Sequence, residues 1–389
     1  MGKLTRSSVV VVCVLVMLVS FSGTAFAARS GPPAKWTVMV YISGDNNLEE
    51  YVVKDIELEL ALTGSSDDVQ VVALADRGPG YDTSYGDWQT TKLFHVTQGM
   101  TAAPENAVKD WGERNMGDPE TLIDFVTWTK DNYPARHYAL YFWGHGWNWH
   151  PGYVMGDDTD QDSLDMHEIK AALPQIGFID VVGFDACNMA SIEVQHLWHG
   201  YATALVHSQD YINWDGIEYD VVLAQLSANP KMTPDEVAIA TSMSVTNDKT
   251  MSAVAVDGRF DALFTAVDEW SLALLDGLDE NRRSYDRAFR FTQDFWQAPM
   301  DKDLYDMAFE IGSRVSSADI ATKSQAVMNA VEAVVLEEHH EVSHKDAHGI
   351  TINHMANSGH LDEYFEYYQE TVDFALLTSW DEFLLVYAK

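Results

Sequence analysis

Between residues 36 and 207, short unbroken apolar runs alternate with stretches of helical periodicity. Five runs are predicted strands: residues 36–42, 69–75, 137–143, 179–184 and 203–207. Each is apolar at consecutive rather than alternate positions, the pattern of a strand buried on both faces. Residues 48–62, 119–132, 166–173 and 192–197 carry helical spacing. Asn46 with Glu49, Asp118 ahead of Pro119, and Ser191 stand where caps belong. Strand and helix in alternation predict a parallel sheet covered on both faces. Residues 88–96 alternate weakly and suggest a surface hairpin. Beyond Pro234 the periodicity is mostly helical, at 235–244, 260–275, 284–296, 304–315 and 323–337, with short strand signals at 252–256 and 349–353. The reading is therefore an α/β core over residues 28–230 and a mostly helical region over 231–389 that covers or extends it.

The first 27 residues stand outside this pattern. Lys3 and Arg6 precede an eleven-residue apolar run from Val9 to Val19, too short to span a bilayer, and Ala25-Phe26-Ala27 reads as a cleavage signal. A signal peptide is expected, with a mature chain starting near Ala28 that is secreted or held in the cell envelope or periplasm, off the membrane. Its removal changes the cysteine count. Of the two cysteines, Cys13 leaves with the leader and Cys187 remains. A lone cysteine in an oxidising compartment is either deeply buried or used.

Charge narrows the partners. The chain has 24 Lys and Arg against 60 Asp and Glu, a formal net charge of −36. Nucleic acid and anionic lipid would be repelled, whereas cationic peptides would be drawn in.

His145 lies between Gly144 and Gly146 where the third predicted strand ends, and Cys187 lies where the fourth ends. Carboxyl ends of parallel strands are where open α/β sheets carry their chemistry. If the two strands are neighbours, imidazole and thiol face each other, which suits acyl transfer: thiolate attack, proton delivery to the leaving amine, and backbone N–H groups for the oxyanion. The remaining histidines show no metal-ligand spacing, and Glu338-His339-His340-Glu341 reads as a solvated helix end. The acidic segment Asp157-Asp158-Thr159-Asp160-Gln161-Asp162 lacks the glycine and glutamate of an EF-hand, since Ser163 and Ile169 stand there. It reads as a solvated loop or a looser Ca²⁺ site; a metal is unassigned and no cofactor is required.

Three blocks resemble the signatures of the clostripain-like cysteine peptidases: Tyr41-Ile42-Ser43-Gly44-Asp45-Asn46-Asn47-Leu48-Glu49, Trp143-Gly144-His145-Gly146, and Phe184-Asp185-Ala186-Cys187-Asn188-Met189-Ala190-Ser191. The resemblance implies a caspase-like α/β/α sandwich and a His145–Cys187 dyad, with oxyanion donors at Gly146 and Cys187. It also implies cleavage after Arg or Lys, with Asp185 at the floor of the specificity pocket; its alternative role is to cap the following helix. Asp210 and Asp215, in the loop after the fifth strand, are candidates to add negative charge there. Calcium dependence is a variable trait of the family. Members often cut themselves in the loop after the catalytic histidine. Here the only basic residue between His145 and Cys187 is Lys170, inside a predicted helix, so cutting there at Lys or Arg is not expected. Competing readings are a relative with another specificity, a non-catalytic binding module and a Ca²⁺-binding surface protein on the same fold.

Overall fold

The computed structural model describes residues 32–246, 249–295, 298–357 and 360–389. The expected leader and its cleavage site lie outside the described residues. Twelve strands matter here: β1 (Ala34–Gly44), β2 (Val69–Arg77), β3 (Lys92–His95), β4 (Lys109–Asp110), β5 (Ala135–Trp143), β6 (Ile179–Asp185), β7 (Ala202–His207), β8 (Thr250–Ala255), β9 (Asp294–Phe295), β10 (Ala298–Asp303), β11 (Val335–His340) and β12 (Thr351–Asn353). Nine form the main sheet in the order β11-β8-β7-β6-β5-β1-β2-β3-β4, and β12-β10-β9 form a small second sheet. The five strands read from the apolar runs are its parallel centre, β7-β6-β5-β1-β2. β3 and β8 flank them antiparallel, and β11 lies outside β8, antiparallel to it.

Both faces of the centre are covered, which explains the continuous apolar runs. On one face Val38, Val40 and Ile42 pack with Val52, Ile56, Tyr219 and Val222. On the other, Met39, Tyr41, Phe142 and Phe184 pack with Leu122, Phe125, Ile169 and Ile192. Each fully buried side chain of this size contributes about 1.5–3 kcal/mol. The chain runs from β1 outward to β2, then returns across β1 to β5 and continues through β6 and β7 on the other side. The reversal opens a crevice at the carboxyl ends of β1 and β5.

Several local expectations change. The helix expected to reach residue 337 ends at Val334, and Val335–His340 becomes β11, antiparallel to β8. Glu338, His339 and His340 are thus strand residues, because β8 would otherwise expose an open edge to solvent. The helix expected at 284–296 is Leu278–Phe291. The weak hairpin at 88–96 supplies β3, which joins the main sheet. The capping box at Asn46 does not form. Asn46 Oδ1 accepts from Leu48 N at 2.9 Å, while Glu49 is buried against Arg77 Nε at 2.7 Å. The helix that follows passes through a π-helical turn at Ile56–Leu60.

Candidate active site

Three loops meet at the crevice, from the ends of β1, β5 and β6. The β5 loop passes so close to the β6 loop that only glycine fits at 146. A Cβ there would lie 2.8 Å from the Cys187 carbonyl oxygen and 3.0 Å from Ala186 Cβ. The β6 loop is fixed in turn. Asn188 takes a left-handed φ of 55°, its N–H donates to Asp210 O at 3.0 Å, and Ala190 N donates to Ser208 O at 3.0 Å. Ser191 caps helix Ile192–Trp198 by accepting from Val194 N at 3.2 Å, and its hydroxyl donates to Asn148 Oδ1, which joins the two loops.

His145, Cys187 and Asp185 line one cavity of about 280 Å³, together with Leu48, Tyr51, Trp143, Tyr211 and Trp214. Tyr51 and Trp214 stack at 5.4 Å to form an aromatic wall, with Trp214 exposed. His145 Nε2 lies 2.8 Å from Asn47 Oδ1. An amide oxygen can only accept, so Nε2 carries the proton and Nδ1 is the lone-pair nitrogen. Burial lowers the imidazole pKa, against the opposing charge of Asp158, so His145 is neutral at pH 7.

Asp185 does not cap the following helix, since Ser191 does. Its carboxylate accepts from Ile217 N at 3.2 Å and from the Tyr219 hydroxyl at 3.0 Å. Gly216, at φ 57°, lies against it, and a Cβ there would be 2.4 Å from Asp185 Oδ1. Behind this floor Asp55 accepts from Trp143 Nε1 at 2.7 Å. Burial first, then Glu59 and Asp185, hold Asp55 well above the usual carboxylate range. Burial pushes Glu59 to about 7. The floor of the cavity is therefore a region of crowded negative potential.

The other two candidate acids lie elsewhere. Asp210 is fully buried and faces His344 Nε2 at 2.9 Å, while Asp215 is exposed and pairs with Lys54 at 3.1 Å. Neither lines the cavity. In the acidic loop Asp158, Asp160 and Asp162 are solvated, and Asp157 alone turns inward. There it joins Asp45, Asp76 and Glu113, a carboxylate group spaced to hold a cation. His150, His196 and His207 are packed side chains, pushed by burial to about 4, 4 and 3. Sequence reasoning missed Asn47, Gly216 and Tyr219 as parts of the site. Asn47 stood within a recognised block, at the end of a predicted strand. Tyr219 carried no signal, being 34 residues from Asp185.

A model of the clostripain family matches residues 40–386. Clostripain from Hathewaya histolytica is 30% identical over 223 residues, which is 50% of this chain and 42% of that relative, so the match spans less than half the relative's length. A secreted C11 cysteine protease from Bacteroides thetaiotaomicron, solved with an irreversible peptide inhibitor, superposes with a TM-score of 0.69 at 17% identity, over 90% of this chain and 100% of its own. An inactive zymogen C11 protease from Parabacteroides distasonis gives 0.67 at 17% identity, over 91% and 99%. These likenesses establish the caspase-like α/β/α fold. No helix among the described residues is long and apolar enough to cross a membrane.

Proposed function

Because the chain belongs to the clostripain family of cysteine peptidases, we propose that it is an exported endopeptidase that cleaves after Arg or Lys, with Cys187 as nucleophile and His145 as general acid and base. The observation that carries this reading is the convergence of His145, Cys187 and Asp185 on one cavity. In the reaction, Nδ1 of neutral His145 takes the thiol proton as Sγ adds to the peptide carbonyl. The N–H groups of Gly146 and Cys187 receive the oxyanion. The imidazolium then protonates the leaving amine, the C–N bond breaks and a thioester remains. Water, deprotonated by His145, adds to the thioester and expels the thiol. Asn47 keeps the ring in the tautomer that this sequence requires. Asp185 selects the P1 guanidinium or ammonium by charge-assisted hydrogen bonds, and the aromatic wall of Tyr51 and Trp214 flanks the P1 stem.

Fluorogenic peptides ending in Arg, Lys, Asp, Asn or Leu test this under reducing conditions. Cleavage of the Arg and Lys peptides is expected. Cys187→Ala abolishes it, and Asp185→Asn lowers kcat/KM for the Arg peptide by about a hundredfold or more while sparing a neutral one. Cleavage unchanged in Cys187→Ala refutes the mechanism, and cleavage confined to Asp or Asn peptides refutes the role of Asp185. Export is tested by amino-terminal sequencing of protein recovered from outside the cytoplasm, expected to start near Ala28.

A further inference from the structure

The residue after Cys187 is held in a sparsely populated backbone state, Asn188 at a left-handed φ of 55°. Asparagine tolerates this state better than most residues, yet the state persists only where the surroundings enforce it. The segment leaving β7 does so. Asn188 N donates to Asp210 O at 3.0 Å, and Asn188 Nδ2 donates to Gln209 O at 3.1 Å. Ala190 N donates to Ser208 O at 3.0 Å. The loop that carries the thiol is therefore placed no more firmly than residues 208–210 are.

Those three residues lie beyond the end of β7 and outside any helix, so contacts with other segments must fix them. Thr250 Oγ1 accepts from the N–H groups of Gln209 and Asp210, both at 3.0 Å. The Gln209 side chain is buried and reaches into the carboxyl-terminal half of the chain. Its Nε2 donates to Asp303 Oδ2 at 2.9 Å, and its Oε1 accepts from Gly349 N at 2.8 Å. One neighbour can only accept and the other only donate, so the amide has a single orientation. Asp303, the last residue of β10, is 0% exposed and is fixed in turn. Its carboxylate also accepts from His348 N at 2.6 Å and from Asp306 N at 2.8 Å, where it caps helix Leu304–Arg314. Every oxygen and nitrogen of these two side chains has a partner, and a buried polar network satisfied throughout is rigid.

We propose that Gln209 and Asp303 are positioning residues for Cys187: the link from β10 through Gln209 to Asn188 sets the thiol opposite His145. The part this plays in cleavage rests on the peptidase reading. Neither residue lines the cavity, so each acts only through the loop it holds. The carboxyl-terminal half then belongs to the site and does more than cover the sheet. With the link cut, Asn188 is free to leave its left-handed state and to carry the neighbouring thiol away from the imidazole. A displacement of about 1 Å between reacting groups costs up to about a hundredfold in rate.

The test reads two rates in the full-length protein. One is kcat/KM for an Arg peptide. The other is alkylation of Cys187 by iodoacetamide at pH 7, followed on the Cys187 peptide by mass spectrometry so that Cys13 does not count. In alkylation Sγ displaces iodide and the thiol proton passes to His145, so this rate reports the pairing of thiol and imidazole with no peptide in the cavity. Gln209→Met keeps the side chain's length and removes both of its hydrogen bonds; both rates should fall at least about tenfold. Asp303→Asn should lower both as well, and the double variant should be no slower than the slower single one, because the two changes cut the same link. Ser324→Ala is the control. It removes a buried hydrogen bond from Trp270 Nε1, 2.9 Å long, between helices Phe260–Asp276 and Ala318–Val334, and should lower the melting temperature without moving either rate. If Gln209→Met does not fold, Asp303→Asn carries the comparison. Wild-type rates in the folded variants overturn the proposal, as does an equal loss in Ser324→Ala, which would tie the rates to stability alone. Alkylation slowed as expected, in a protein whose wild type cleaves no peptide, upholds the positioning of Cys187 and overturns the peptidase reading.

Discussion

Replacing Gly146 by alanine probes the contact on which the cavity depends. The new Cβ would stand 2.8 Å from the Cys187 carbonyl oxygen, 2.8 Å from Met189 Sδ and 3.0 Å from Ala186 Cβ. Non-bonded carbon contacts settle at about 3.5–4.0 Å, so the two loops must part by about 0.5–1 Å. Met189 can yield, since a thioether side chain swings readily. The Cys187 carbonyl and Ala186 cannot, because Asn188 and Ala190 bind that loop to Asp210 and Ser208. Overpacking of this kind costs about 1–3 kcal/mol, and a shift of about 1 Å between reacting groups costs up to about a hundredfold in rate. Alanine keeps the backbone N–H that the proposed mechanism uses as an oxyanion donor, so any loss comes from geometry. The expected result is a fall of about a hundredfold in kcat/KM for an Arg peptide, with a melting temperature lower by a few degrees. Gly258→Ala is the control. It has no neighbour within 4 Å and no left-handed φ, so it should be neutral or slightly stabilising. Wild-type kcat/KM and an unchanged melting curve in Gly146→Ala would refute the close approach of the two loops.

Three further outcomes follow from named contacts. Burial holds the His145 pKa below 6.5 and the proposed mechanism needs the neutral ring, so the acid limb of the pH–rate profile should lie below pH 6.5. Asn47→Asp adds a negative charge beside Nε2 and should move that limb upward, whereas Asn47→Ala should lower kcat by about tenfold; an unmoved limb argues against the contact. Arg77 and Glu49 form an ion pair with no solvent exposure, so Arg77→Met should cost about 3–5 kcal/mol in urea denaturation, much of it regained when Glu49→Leu is added. Asp301 is fully buried, with Oδ1 accepting from Asn148 and Asn353, and burial pushes its carboxyl to about 7. Its folded pKa lies above its unfolded one, so its stabilising contribution is complete below about pH 4 and is lost as pH rises through 7. The stability gap between wild type and Asp301→Asn should therefore shrink by up to about 1.4 kcal/mol per pH unit across that window, and parallel curves would contradict the buried, protonated form.

The parallel centre of the sheet was readable because strands buried on both faces have no polar positions to interrupt them. β1, β2, β5, β6 and β7 lie within about two residues of the apolar runs that predict them. That His145 and Cys187 line one cavity was readable for a related reason, since β5 and β6 are consecutive in the parallel centre and also adjacent in space. Partners that depend on the path of the chain were hidden. Asn47 meets His145 only because β1 lies between β2 and β5, and Tyr219 meets Asp185 only because the loop after β7 folds back over the cavity. The edge strand β11 looked like a continued helix because Val331, Val334 and Val335 keep apolar spacing; the open edge of β8 decides the outcome, and it is 80 residues away in the chain. Glu49 had the spacing of a capping residue and instead neutralises a buried guanidinium.

The acids of this chain divide by what the fold does with them. Most are not buried, and Asp158, Asp160 and Asp162 are exposed to solvent. Two groups are gathered at the sheet edge: Asp45, Asp76 and Asp157 beside the His145 loop, and Asp55, Glu59 and Asp185 around the cavity floor. Crowding of the second group raises the cost of ionising Asp55, because burial and the nearby charges of Glu59 and Asp185 act in the same direction. A cationic P1 side chain reaching Asp185 lowers that cost for the whole group at once, and a neutral side chain of the same shape does not. Selection by charge, as proposed, would therefore draw on more than the carboxylate of Asp185 alone. Asp55→Asn, which leaves the cavity lining intact, should then reduce the preference for Arg over a neutral P1 residue, though less than Asp185→Asn does.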